Sequence, residues 1–347
     1  MSESEAPTAE AGAEHRRVAT ALVLFLVLAV QLALVLTRVQ LQQSRPTFDA
    51  RDDTAVYWAE SSLQYRFARM VAEGESLPSL DTVIQHPEGV RVFRDWTVLM
   101  EYPCGLSYRL LKPALRGMPF HVYTIWFSAA FLSLALWPAF GLACRLFESR
   151  VAGLVAVVLY GFGIPASDRL VGMYARDHFA LPFLFAALAC FVIALESPSA
   201  QRRRLLLWQN LAGACFAVAL ASWHFSRFVH LLFAGVVVLL VLLRCGGEQA
   251  QRRIAQTLMV STAWIAGAAL LVPVLRAKHF LLSPGLIASV AAIAVGLGLL
   301  PWAREAGEGL PPLLRRAGAF AVVALPLLIL GALLAPETGS YGHVYSL

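Results

Sequence analysis

The chain is 347 residues long, 59% apolar and only 14% charged, with a mean hydropathy of +0.66. Soluble domains carry about 25% charged residues, so an ordinary soluble domain, a disordered chain, a collagen and a coiled coil are excluded and an all-α polytopic membrane protein remains. The formal charge of +6 comes almost wholly from arginine, Lys112 and Lys278 being the only lysines; in such a chain it is a topology signal and not the mark of a nucleic-acid partner.

Residues 1–17 read as a polar, disordered cytoplasmic tail, and 18–347 as one transmembrane domain. The first apolar run, Val18 to Leu36, spans about 29 Å, close to the thickness of a bilayer core. Arg16 and Arg17 precede it and Thr37-Arg38-Val39-Gln40 follows, so the segment reads as an uncleaved anchor. Further apolar runs near 121–143, 151–166, 179–195, 205–222, 228–243, 255–275, 281–300 and 317–335 bring the expected spans to about nine. Alternating sides from a cytoplasmic N-terminus puts thirteen basic residues inside, among them Arg145, Arg202, Arg203, Arg204, Arg244, Arg252 and Arg316. The short outer loops then hold five, Arg169, Arg176, Arg227, Arg276 and Lys278. That asymmetry satisfies the positive-inside rule and predicts a multi-pass protein of the cell membrane whose long first loop lies outside.

That loop, residues 41–119, contains ten of the 22 acids, and ordered loops of such length are usually functional. Val56, Leu63, Phe67 and Met70 recur at helical spacing, predicting an interfacial helix over 54–73. Pro78, Pro87, Gly89 and Pro103 are expected to break the remainder into turns. The five cysteines, Cys104, Cys144, Cys190, Cys215 and Cys245, show neither metal spacing nor a disulfide framework and read as small core hydrophobes.

Three segments carry candidate chemistry. Asp49-Ala-Arg-Asp52-Asp53 places three acids within five residues. One acid suffices for a helix cap, whereas three repel unless a cation sits among them, which favours a hard-cation or acid/base site. Ser167-Asp168-Arg169 through Arg176-Asp177-His178 forms a second outer turn. Its carboxylate and histidine can meet the first loop at one divalent ion, while Arg169 or Arg176 holds a phosphate. In the third, Ser222-Trp223-His224-Phe225-Ser226-Arg227, the aromatics suit an interfacial belt and Arg227 suits an anionic headgroup. No Walker A loop, dinucleotide fingerprint, Gly-x-Ser-x-Gly elbow or His-Glu-x-x-His helix occurs.

Asp52-Asp53-Thr-Ala-Val-Tyr57-Trp58-Ala59-Glu60, Leu77-Pro78-Ser-Leu-Asp81, His86-Pro87-Glu88-Gly89-Val90, Arg169-Leu-Val-Gly172-Met-Tyr174 with Asp177-His178, and Ala221-Ser222-Trp223 together resemble the membrane glycosyltransferases of the GT-C class. Within that class the pattern is most similar to the catalytic subunit of oligosaccharyltransferases, over about the first two thirds of the chain. The resemblance implies transfer of a sugar or oligosaccharide from a polyprenyl-phosphate or polyprenyl-diphosphate donor to a protein or peptide acceptor at the outer face. It implies Asp53, with Asp52 as its rival, as the catalytic acid. It further implies Asp53, Asp177 and His178 as metal ligands; the oxygen-rich set makes Mg2+ or Mn2+ the expected ion, and Arg169, Arg176 and Arg227 are the candidates for the donor phosphate. Two departures accompany it. Ala175 stands where the first acid of the second motif is expected, and the chain stops at Tyr345-Ser346-Leu347 where that family continues, so a fragment or a shorter relative is expected. The alternatives are a single-sugar transferase acting on a lipid, polymer or Ser/Thr acceptor, and a noncatalytic scaffold or transporter.

Overall fold

The computed structural model describes residues 9–54, 56–58, 60–83, 87–163, 172–198, 201–223, 225–300 and 311–334. In chain order the helices are α1 (Ala9–Gln43), α2 (Glu60–Glu73), α3 (Val92–Asp95), α4 (Glu101–Leu111), α5 (Phe120–Ser133), α6 (Leu136–Leu146), α7 (Arg150–Phe162), α8 (Arg176–Glu196), α9 (Arg202–Ser222), α10 (Ser226–Leu242), α11 (Gly247–Leu271), α12 (Pro273–Ala277), α13 (Pro284–Gly296) and α14 (Pro312–Leu334). Among the described residues the only extended pairing is one antiparallel bridge between Asp81 and Val90, in keeping with the all-α class read from composition.

Among the described residues six segments are long and apolar enough to cross a bilayer: Val18–Gln43 in α1, Phe120–Leu146 across α5 and α6, and α8, α9, α11 and α14. The other three predicted runs are the shorter helices α7, α10 and α13, of 13, 17 and 13 residues. At about 1.5 Å per residue they rise roughly 20 to 26 Å, less than a ~30 Å hydrocarbon core. Among the described residues the nine expected spans are therefore six long helices and three short ones. Backbone geometry sets the ends. Gly163 leaves the helical region after α7, Arg244 adopts φ 56° after α10, and Gly298 adopts φ 61° after α13. Pro273 stops α11 at Leu271, short of the predicted 275. At the other end of the chain, α1 starts at Ala9, inside the stretch read as a disordered tail, where alanine and glutamate favour helix.

Apolar burial cannot by itself hold helices together in lipid, so close approach must, and small residues supply it. Ala187, Ala212, Ala219, Ala255 and Ala269 are fully buried. A side chain at Gly213 would meet the Ser261 backbone at 2.9 Å, so α9 lies directly on α11. Phe216, Leu220, Ile265 and Leu286 fill the space between them.

The first loop is held down as a structured layer over one end of the bundle. Its interfacial helix starts at Glu60 rather than 54, because the preceding residues are committed elsewhere. Asp52 Oδ1 accepts from the Thr54 backbone N–H at 3.0 Å, and the Trp58 N–H donates to Gly172 O at 3.3 Å. Buried Phe67, Ala68 and Val71 turn α2 onto α4, where Gly105 leaves no room for a Cβ: one would sit 2.7 Å from Ala68 O. Pro103, expected to break the chain, lies instead in the first turn of α4, where a missing N–H costs nothing. Asp81 is buried, exchanges both backbone bonds with Val90 at 2.9 Å, and forms an ion pair with Arg66. The conspicuous Leu77–Asp81 and Pro87–Val90 segments thus fasten the loop to itself. Cys104 and Cys190 are buried, Cys144 and Cys215 half-buried and Cys245 exposed, all with free thiols.

Candidate active site on the face of the first loop

Two cavities open on the face that carries the first loop. The larger, about 650 Å³, is lined by Asp52, Asp53, Tyr65, Arg69, Lys112 and His121 among others. Asp53 is placed by the extended turn before α2. Its Oδ2 accepts from the Tyr65 hydroxyl at 2.7 Å and from Arg69 Nη1 at 2.9 Å. Both bonds fall on one oxygen, and no hydrogen-bond partner for Oδ1 stands among the described residues. Burial and the neighbouring carboxylate push the Tyr65 hydroxyl well above its ordinary pKa, so it remains a donor. Arg69 also binds Glu73 at 2.8 Å, one turn on. Asp52 spends its carboxylate on Thr54, taking the hydroxyl at 2.9 Å as well as the N–H, and these bonds hold its pKa low. Of the two rivals, Asp53 is the one whose second oxygen has no partner among the described residues, and Asp52 shapes the turn that presents it.

The smaller cavity, about 220 Å³, is lined by Asp95, Thr97, Arg176, Arg227, Val274, Leu275 and Lys278. Arg176 opens α8, Arg227 the first turn of α10, and Lys278 follows α12, so three helix ends deliver three cations to one hollow. Arg176 is 4% exposed, lies 4.7 Å from the Trp96 ring centroid, and faces Glu101 at 3.7 Å and Glu60 at 4.0 Å. At 3.7 Å the Arg176–Glu101 pair is ionic but too long for a hydrogen bond, and both Glu101 oxygens lack a hydrogen-bond partner. Burial consequently outweighs the attraction, and the Glu101 pKa is pushed up to about 7.

Arg176 and Arg227, singled out from sequence, are thus brought together. Arg169 lies outside the described residues. The expected gathering of Asp53, Asp177 and His178 does not form: among the described residues no three His, Cys, Asp or Glu side chains group so as to hold a metal ion. Asp53 is turned to Tyr65 and Arg69. Asp177, in the first turn of α8, is 7% exposed; its Oδ1 accepts from the His178 N–H at 3.1 Å and lies 3.9 Å from His178 Nε2. The rings of Tyr65, Tyr57 and Tyr174, with centroids 5.2 and 5.9 Å apart in succession, form a wall beside the turn that carries Asp53. Among the described residues these side chains do not converge on a position for a divalent cation.

Sequence reading missed Glu101, Trp96, Tyr65, Arg69, His121 and Lys278. One signal was available, since the chain's only two lysines each line one of the two cavities. Glu101 offered none, because its partner stands far along the chain.

The same fold recurs in solved structures from Archaeoglobus fulgidus. One is an oligosaccharyltransferase tethered with an acceptor peptide containing an NVT sequon, at 17% identity and a TM-score of 0.64, with 89% of this chain and 38% of that one covered. Another is the archaeal oligosaccharyltransferase AglB in complex with an inhibitory peptide and a dolichol-phosphate, at 14% identity and a TM-score of 0.57, covering 89% and 36%. The chain accordingly spans little more than a third of the length of these proteins. No curated protein matches it in sequence. A family model described as "Dpy19: Q-cell neuroblast polarisation" matches residues 63–296, and the chain belongs to this family, one of the GT-C glycosyltransferase families.

Proposed function

We propose that the chain carries the catalytic face of a GT-C membrane glycosyltransferase that moves a sugar from a polyprenyl-phosphate-linked donor to a protein acceptor at the outer face of the membrane. The observation that carries this reading is the pairing of two cavities on one face, one offering three cations and the other a carboxylate oxygen. Lys278, Arg227 and Arg176 suit the phosphate that departs with the polyprenyl chain, since charge-assisted bonds strengthen as the leaving oxygen gains charge. Asp53, oriented by Arg69 and Tyr65, suits the acceptor, whose proton Oδ1 would receive. The structural neighbours, one tethered with an acceptor peptide and another in complex with a dolichol-phosphate, support lipid-linked donor and peptide acceptor alike.

Between an oligosaccharide donor and a single sugar, membership of a C-mannosyltransferase family favours a single mannose on a polyprenyl monophosphate. A carbon-linked product needs a carbon nucleophile, and the indole ring is the protein side chain that offers one when neutral. In that reaction the bond from the anomeric carbon to the phosphate oxygen breaks with its electron pair leaving on phosphate, a ring carbon bonds to the sugar, and the displaced ring proton passes to Asp53. The test is transfer of labelled mannose from a polyprenyl-phosphate donor to a tryptophan-containing peptide by the complete protein and by Asp53→Asn, with an Asn-x-Thr peptide as competitor. Transfer to tryptophan that Asp53→Asn abolishes while thermal stability is kept is the expected result. Unchanged transfer by the variant overturns the assignment of Asp53, and preference for the asparagine peptide overturns the single-mannose reading.

A further inference from the structure

A third cavity lies at the opposite end of the bundle and plays no part in the proposed transfer. It occupies about 180 Å³ between the end of α10, the start of α11, the end of α13 and the start of α14, with Arg244, Glu248, Gln251, Arg252 and Arg316 in its wall. Chain direction fixes its side. Each of α10, α11, α13 and α14 runs between the two faces, and the ends that meet here are those remote from Arg227 and Lys278.

Among the described residues its charge is unbalanced. Arg252 is matched by Glu248 at 2.9 Å, but no acid is paired with Arg244, Arg315 or Arg316 among the described residues. Arg244 and Arg315 both repel Arg316, and Arg315 Nε is buried without a hydrogen-bond partner. Like charges gathered at a low-dielectric boundary cost free energy unless an anion sits among them. The site is also built, not merely charged. Gln251 Nε2 donates to Leu240 O and Cys245 O, each at 2.9 Å, and Arg316 Nη1 donates to Leu242 O at 3.2 Å, pinning the turn that holds Arg244 at φ 56°. Leu239, Leu243, Leu299 and Leu314, each within two residues of a lining residue in the chain, are all more than half exposed, which supplies an apolar surface close to the cations.

We propose that this cavity binds the phosphodiester headgroup of an anionic phospholipid of the cytoplasmic leaflet, with the acyl chains lying along those leucines. Basic hollows between transmembrane helices at the cytoplasmic boundary suit such headgroups. These leucines favour a lipid over a free phosphate, which would leave them unused. The site does not depend on the transferase reading and can be tested without any activity.

The complete protein is reconstituted in nanodiscs of phosphatidylcholine alone or with phosphatidylglycerol, and separately exposed to inorganic phosphate in phosphatidylcholine. Tm and retained lipid, read by native mass spectrometry, are followed. Phosphatidylglycerol should raise Tm by at least about 3 °C, as a ligand well above its Kd does, and should remain bound. The double variant Arg244→Gln/Arg316→Gln should lose both effects, and Arg316→Lys should recover most of the shift. Arg202→Gln/Arg203→Gln, which removes two exposed arginines of the same face, should change neither. Equal loss in that control pair would show general surface charge and overturn the site. An equal shift from inorganic phosphate through the same two arginines would overturn the lipid assignment.

Discussion

Replacing Glu101 by glutamine should make the protein more stable at neutral and alkaline pH, although it removes one half of a buried ion pair. Glu101 is completely buried, and Arg176 approaches it only to 3.7 Å. Desolvation is the largest influence on its pKa and Arg176 the next, in the opposite direction, leaving a value of about 7 against an ordinary 4.5. A folded-state pKa raised above the unfolded one means that the native state holds the proton more tightly. The associated stability is fully present below about pH 4.5 and is lost as pH rises to about 7. A displacement of roughly 2.5 units at about 1.4 kcal/mol each amounts to ~3 kcal/mol. Glutamine mimics the protonated acid and does not titrate, so the variant-minus-wild-type difference should be near zero at pH 4.5 and grow towards ~3 kcal/mol by pH 8. Paired unfolding curves in one detergent across that range measure it. If Glu101→Gln is instead less stable than wild type at pH 8, the attraction to Arg176 outweighs desolvation and the reasoning fails.

Three further outcomes are expected. Gly105→Ala would force a Cβ to within 2.7 Å of Ala68 O and 2.8 Å of the Ala72 nitrogen, backbone atoms that cannot step aside. It should cost about 1 to 3 kcal/mol, and a loss in Tm indistinguishable from that of an exposed-site substitution would contradict the α2–α4 contact. Exposed Cys245 should react with an impermeant maleimide only from the cytoplasmic side, and Ser62→Cys, on the exposed side of α2, only from outside; labelling of both from one side refutes the proposed topology. Lys278→Gln should raise the KM for a polyprenyl-phosphate donor about tenfold or more, the worth of one charge-assisted bond, with the acceptor KM unchanged. An effect confined to the acceptor would move the phosphate away from this cavity.

Much of the architecture was legible because hydropathy and helix share a period and a length scale. Each predicted apolar run, as far as it is described, falls on a helix or, at 121–143, on the pair α5 and α6, and two arginines picked from separate turns, Arg176 and Arg227, line one cavity. What failed did so for local reasons or long-range ones. The start of α2 was misplaced because Asp52 and Trp58 find backbone partners that periodicity does not register. α4 went unseen because Pro103 looks like a breaker until it is known to sit in a first turn. The expected metal trio joined acids by their shared side of the membrane, which is a constraint in one dimension only; lateral packing then gave Asp53 to Arg69 and left Asp177 beside its own neighbour His178. Glu101 and Arg176 are each unremarkable in the sequence and acquire meaning only when α4 is laid against the start of α8.

The shortness of α7, α10 and α13 bears on the lipid around the protein. A helix of 13 residues is about 10 Å shorter than a typical hydrocarbon core is thick. Such a mismatch is met by local thinning of the bilayer or by polar groups reaching inward from the helix ends, at fractions of a kcal/mol per Å. Arg227 stands in the first turn of α10, and Lys278 shortly before α13, so two of the three cations of the smaller cavity border this shallow sector. On the proposed reading, a polyprenyl phosphate in the leaflet would meet these cations where the water boundary dips towards it, nearer the membrane midplane than beside the long helices α1 and α14.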